Sequence, residues 1–434
     1  MVANLVEKAE QLREKTIARR QDFHKHAEVA WTEFRTAAIV AETLAALGYE
    51  VLAGAEVVDE QAMMGVPSAA ELDRHVERAL AQGANPKWVE KLRGGKTGVV
   101  GILKGAKPGP TIGIRFDMDA NDALEAEDAN HRPVKEHFAS VNRGAMHACG
   151  HDGHTAIGLA VAEVLASLRD ELSGTVKLIF QPAEEGVRGA RAMAVKGVAD
   201  DIDFLLGMHI GFNTKKIGQL ACRIEGFLAT TKLDAVFTGV AAHAGAAPEA
   251  GRNALLAAAT AALNLHAIAR HSQGPSRINV GQLEAGTGRN VVPANAVIKL
   301  ETRGTTSAIN EYMCSEATRI IKAAADMYDV QVVIREMGGA AGAENDLCLV
   351  ERIERVAEKL GIFEEIMPSC YFGASEDCTY FMERVQQHGG KAAYLMIGTE
   401  LAAGHHDFRF DFDEAVLPQA VALLSAAAVE LLQQ

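Results

Sequence analysis

The chain has no apolar run long enough to span a bilayer, and its first residues, Met1-Val2-Ala3-Asn4-Leu5-Val6-Glu7-Lys8, are polar and helical in rhythm, unlike a signal peptide. A cytoplasmic protein with no membrane partner is therefore expected. Positive charge is also scarce: 43 Lys and Arg stand against 57 Asp and Glu, a formal net charge of -14. Phosphate backbones are gripped by clustered cations, so nucleic acid is excluded as the main partner. The six cysteines (149, 222, 314, 348, 370, 378) are scattered, which reads as free thiols and not as a disulfide framework. Glycine and proline are too few for a low-complexity chain.

What is present is a globular composition, 48% hydrophobic and 23% charged, over 434 residues, too long for one typical core. Residues 5–47 read as amphipathic helices ending at Gly48, and 56–95 as a polar, helical insertion between two strands. Apolar strand-like runs then recur at 111–116, 175–180, 203–208 and 392–397, each followed by an acidic or histidine-bearing loop, with helical stretches at 154–168 and 415–432. This alternation predicts an α/β fold, a mixed, largely parallel sheet flanked by helices, whose strand carboxyl ends converge on one crevice. Between 216 and 335 the pattern changes to strand 231–238, helix 253–270, strands 277–283 and 294–302, and helix 307–328. An inserted α+β domain of βαββα order is expected there, leaving 1–215 and 336–434 as the two parts of the first domain.

The densest chemistry is His147, Cys149, His151, Asp152 and His154, within eight residues. Thiolate, imidazole and carboxylate are ligands for zinc, manganese and related divalent ions. His154, one helical turn on, is equally suited to support a neighbour. Glu184-Glu185 follow an apolar strand, and adjacent side chains on a turning backbone point apart, so one can ligate while the other serves as general base. A Glu-Glu pair alone is usually a solvated loop tip, and a lone strand-end histidine, such as His209 or one of His405-His406, is usually structural. Cys149, His151, Glu185, His209 and His406 together make five ligands. That is too many for one open catalytic zinc but suits two metals sharing a ligand and a water, whose pKa falls from about 16 towards about 7. Asp117 and Asp119, at a strand end, are placed to orient the histidines.

These motifs, with Asp117-Met118-Asp119-Ala120, Gln181-Pro182-Ala183-Glu184-Glu185-Gly186, Gly373-Ala374-Ser375-Glu376-Asp377 and Phe410-Asp411-Phe412-Asp413-Glu414, resemble the metallopeptidase and amidohydrolase family that includes aminoacylases, glutamate carboxypeptidases and plant auxin-conjugate hydrolases. The resemblance runs from about residue 20 to 430. It implies that Cys149, bridging, His151, Glu185, His209 and His406 hold two divalent metal ions, manganese or zinc, and that Glu184 is the general base. His405 is the alternative to His406. The insert then corresponds to a dimerisation or lid domain, whose His243 stabilises the oxyanion of the partner's site and whose Asn290, Arg289 and Arg303 hold the substrate. The chain departs from the family pattern at Asp407-Phe408 and at Cys378, and it lacks an arginine in 368–372. The activity implied is hydrolysis of an N-acyl glutamate, p-aminobenzoyl-glutamate, by a homodimer or by a heterodimer with a second, homologous chain. A general N-acyl-amino-acid amidohydrolase or dipeptidase is the first alternative, and a non-catalytic member of a heteromer the second.

Overall fold

The computed structural model describes residues 2–433; Met1 and Gln434, the ends of the expected domain ranges, lie outside the described residues. In chain order the strands are β1 (Glu50–Ala53), β2 (Val99–Lys104), β3 (Lys107–Asp117), β4 (Ser173–Gln181), β5 (Phe204–Ile210), β6 (Gln219–Ala221), β7 (Ile224–Glu225), β8 (Ala229–Thr238), β9 (Ser276–Ala285), β10 (Asn295–Gly304), β11 (Gln331–Ala340), β12 (Glu365–Met367), β13 (Cys370–Tyr371) and β14 (Lys391–Ile397). The chain forms two compact units. The larger runs to Gly226 and resumes over Glu344–Gly373 and from Asp377 onward, and the smaller holds Phe227–Ala343 with Ala374–Glu376.

The larger unit is built on an eight-stranded sheet of order β1-β2-β4-β3-β5-β14-β6-β12. Its four central strands, β4, β3, β5 and β14, are parallel, and the antiparallel pairs lie towards the edges. A parallel strand covered on both faces must be apolar along its whole length, and Ala392 to Ile397 of β14 are all buried. Helices His151–Ala166 and Val416–Leu432 pack against each other and against β3. The second is buried almost all round, as a core helix must be. Gly158 sets how close the first can come: a Cβ there would stand 2.7 Å from both Phe116 and Phe180 of the sheet. The 56–95 insertion forms helices Ala69–Ala81 and Pro86–Lys91 between β1 and β2, which pair antiparallel. No helix among the described residues is long and apolar enough to cross a membrane.

The smaller unit is a four-stranded antiparallel sheet, β11-β8-β10-β9, with helices Ala254–His266 and Ser307–Met327. Two expectations are corrected here. The order is βαββαβ, not βαββα, because β11 adds a fourth strand; on the sheet edge much of it is exposed, so its alternation is weak. The boundaries also move from 216–335 to 227–343, since β6 belongs to the larger sheet and β11 continues past 335 in register with β8.

Candidate metal centre

The carboxyl ends of the central strands deliver the expected residues to one place. Asp117 closes β3, Gln181 closes β4 ahead of Glu184, His209 stands next to last in β5, and His406 lies in the loop after β14. Cys149 and His151 reach them through Gly150, which caps helix His151–Ala166 at φ +98°, a conformation that glycine adopts without strain. Ligand atoms of Cys149, His151 and His209 lie within 4.8 Å of one another, as do those of Cys149, Glu185 and His406. Cys149 is common to both groups. His151, Glu184 and Glu185 form a third.

The hydrogen bonds decide which atoms face this space. Nδ1 of His151 donates to the Asp119 carbonyl (2.9 Å) and Nδ1 of His209 to the Ile210 carbonyl (2.7 Å). Each Nε2 lone pair is thereby turned inward, the arrangement metal-ligating histidines use. Nε2 of His209 stands 3.4 Å from the Cys149 sulfur, and Nε2 of His151 is buried without a hydrogen-bond partner. Oε1 of Glu185 also lacks one, 3.4 Å from Nε2 of His406. Burial and the Glu185 carboxylate push the Cys149 thiol well above its usual range, so a thiolate there calls for a cation. Burial holds His209 well below the usual range, in the neutral ligand form. The donor set fits divalent transition ions.

His406 sits at φ +67°, its N–H given to the Ala148 carbonyl (2.7 Å). His405 instead stacks on Phe212, 3.9 Å between ring centres, and burial lowers it to about 4. His154 has no lone pair to offer: Nδ1 donates to Asp117 (2.6 Å) and Nε2 accepts from the Ile210 N–H (3.1 Å). Its partner Asp117 is anchored in turn by fully buried Arg115 on the other carboxylate oxygen (2.6 Å), and that oxygen stands 3.8 Å from Nε2 of His151. Asp119 orients His151 through its backbone carbonyl, with a side-chain oxygen 3.5 Å from the same Nδ1.

The side chain of Asp119 holds the glutamate pair. Its two oxygens accept from the N–H groups of Glu184 and Glu185, 2.9 Å each. Two more buried acids bracket the same turn: Glu33 accepts from the Ala183 N–H (2.9 Å), and Asp377 from those of Gly189 and Ala190 (3.0 Å each). The turn needs holding, because Ala183 (φ +54°) and Val187 (φ +59°) lie in the left-handed region, at roughly 1–3 kcal/mol each. No sequence signal marks Glu33, whose partners Thr97 and Ala183 are remote; a lone acid before the helix Phe34–Ala46 looks like an ordinary cap.

In the smaller unit, residues 242–244 pair with 290–292, bringing His243 and Asn290 side by side: Ala244 N–H donates to the Asn290 carbonyl (3.0 Å) and Val292 N–H to that of Ala242 (2.9 Å). Nδ1 of exposed His243 accepts from the Gly245 and Ala246 N–H groups (3.2 and 3.0 Å), so its proton sits on Nε2, facing away. Arg289 is exposed beside Asn290. Arg303 does not join them. It lies on β10, forked onto Glu301 (3.0 and 3.1 Å), so its charge is already answered.

A parallel α/β layer whose carboxyl edge gathers a thiol, imidazoles and adjacent carboxylates defines a hydrolase. The chain belongs to peptidase family M20/M25/M40, whose model matches residues 113–430, and the resemblance read from the motifs is borne out. It is 52% identical over 411 residues, 94% of each chain, to one of the named subunits of p-aminobenzoyl-glutamate hydrolase from Escherichia coli (strain K12). It is 52% identical over an equal span, again 94% of each, to indole-3-acetyl-aspartic acid hydrolase of Enterobacter agglomerans. The crystal structure of the aminobenzoyl-glutamate utilization protein from Klebsiella pneumoniae superposes with a TM-score of 0.86 at 42% identity, covering 99% of both chains.

Proposed function

We propose that this chain is a binuclear, metal-dependent amidohydrolase that cleaves p-aminobenzoyl-glutamate to p-aminobenzoate and glutamate. The observation that carries the reading is the inward-facing set of Cys149, His151, His209, Glu185 and His406 around Glu184. Those five residues would hold two divalent ions, manganese or zinc, which when bound would supply an activated water and polarise the amide carbonyl. Glu184 takes the proton of the attacking water and returns it to the leaving amine nitrogen. In a dimer, His243, whose Nδ1 already accepts two N–H bonds, donates from Nε2 to the oxyanion of the partner's site, and Asn290 and Arg289 hold the substrate's carbonyl and carboxylate. Arg303 takes part only by releasing Glu301.

Dimerisation through the smaller unit, with a second copy or with a homologous chain of a heterodimer, belongs to the same reading. Strand β9 is a sheet edge carrying exposed Leu283, and helix Ala254–His266 exposes Leu256 and Leu263. That the Escherichia coli relative is named as one subunit of its enzyme supports a partner. Six free cysteines suit the cytoplasm.

A second reading, hydrolysis of indole-3-acetyl-aspartate, is favoured by the equal identity to the enzyme of that name. Turnover by the manganese- and zinc-loaded chain on both conjugates, N-acetyl amino acids and dipeptides ranks the substrates. Negligible relative activity on p-aminobenzoyl-glutamate sinks the first reading. Glu184→Gln is expected to abolish turnover while two ions stay bound; a metal-free, inactive wild-type chain would mean a non-catalytic member of a heteromer.

A further inference from the structure

We propose that Glu33 is a positioning residue for Glu184 and Glu185, acting through the backbone of the turn that carries them. The inference rests on the reading of Glu184 as the base. Glu33 stands at the N-cap of helix Phe34–Ala46, yet its side chain makes no capping bond. Instead Oε1 accepts from the N–H groups of Trp31 (3.0 Å) and Ala183 (2.9 Å), and Oε2 is paired with the Thr97 hydroxyl at 2.6 Å. No cation is among these partners, and the residue is 0% exposed. A buried acid with neither a counter-ion nor a cap to serve is a poor stabilising device.

What Glu33 holds is the first of three consecutive N–H groups, those of residues 183, 184 and 185, the other two being held by Asp119. Ala183 adopts φ +54°, and that dihedral sets the direction in which the chain leaves β4, hence where the next two carboxylates point. Asp119 gives one oxygen to each glutamate N–H, and the Ala183 N–H is met by Glu33 instead. Glu33 therefore supplies the third anchor from an element 150 residues away in sequence.

The test compares Glu33→Ala and Glu33→Gln with wild type and Glu184→Gln, manganese-loaded, on whichever conjugate the wild type cleaves, with kcat expressed per folded, metal-loaded molecule. Releasing the turn is expected to lower kcat in Glu33→Ala by about 100-fold, the scale of a misplacement near 1 Å, with KM and metal stoichiometry little changed. Glu33→Gln recovers most of the loss, because its amide keeps the acceptor for Trp31 and Ala183 and donates to Thr97. Wild-type kcat in Glu33→Ala beside an inactive Glu184→Gln overturns this proposal alone, as does equal damage in the Gln and Ala variants. Activity surviving in Glu184→Gln overturns the assignment of the base and this proposal with it. Should Glu33→Ala not accumulate folded, Glu33→Asp carries the test: its shorter side chain cannot span from Thr97 to Ala183, and wild-type kcat in it is again an overturning result.

Discussion

Raising the pH from about 5 to about 8 is expected to destabilise this protein through one buried carboxyl group, that of Glu33. Burial, reinforced by the neighbouring Asp119, pushes it up to about 8, against about 4.3 for glutamate in an unfolded chain. Between these values the folded chain keeps a proton that the unfolded chain releases. The unfolded state then binds fewer protons, so the free energy of unfolding falls as pH rises. Below about 4.3 both states hold the proton and the penalty is absent; above about 8 both have lost it and the penalty is complete. At about 1.4 kcal/mol per pH unit, the window has a ceiling on the order of 5 kcal/mol. Glu33→Gln keeps the acceptor for Trp31 and Ala183 but cannot ionise, so its stability should lose this slope. Urea unfolding of both proteins at about pH 5, 6.5 and 8 measures it. Parallel profiles for wild type and variant would refute the argument, since the titrating group would then lie elsewhere.

Gly158→Ala places a methyl group 2.7 Å from Phe116 and Phe180, and overpacking of this kind costs about 1–3 kcal/mol. Because the displaced helix begins with His151, manganese affinity should fall as well; calorimetric titration that finds affinity and stability unchanged would show that the close approach does not position the centre. Leu263 is 78% exposed, and Leu263→Arg is expected to shift the chain towards monomer by light scattering, whereas an unaltered mass would exclude this helix from the interface.

Much of the fold is legible in the sequence, for identifiable reasons. Strands β3, β4, β5 and β14 are long, apolar and followed by chemically distinctive loops, and helix Val416–Leu432 is apolar throughout. The edge strand β11 escapes such a reading because exposed Val333 stands between the partly buried Val332 and Ile334, an apolar run that hides the alternation, and β6, β12 and β13 span only two or three residues each, too few for any period to register. The separate deliveries of Cys149, His151, Glu185, His209 and His406 can be read because each borders a strong element, the first two at the start of helix His151–Ala166 and the others at or after strand ends. The division of labour between Asp117 and Asp119 cannot: it depends on which oxygen meets which N–H, information fixed by register between β3, β4 and the turn beyond. Glu33 is hidden for a related reason, since its partners Thr97 and Ala183 are distant in sequence and two of its three bonds are to backbone.

Strand β14 lies between β5 and β6, which share no hydrogen bonds with each other. A nascent chain that has emerged as far as β6 already holds four of the five candidate ligands, yet its sheet still lacks a central member. Residues 391–397 and then His406 arrive only after the whole of β8 to β11 has been made, followed by the buried helix Val416–Leu432. Completion of the candidate centre thereby waits on synthesis of the smaller unit: a product truncated ahead of β14 carries four of the five candidate ligands but neither the closing strand nor the last imidazole.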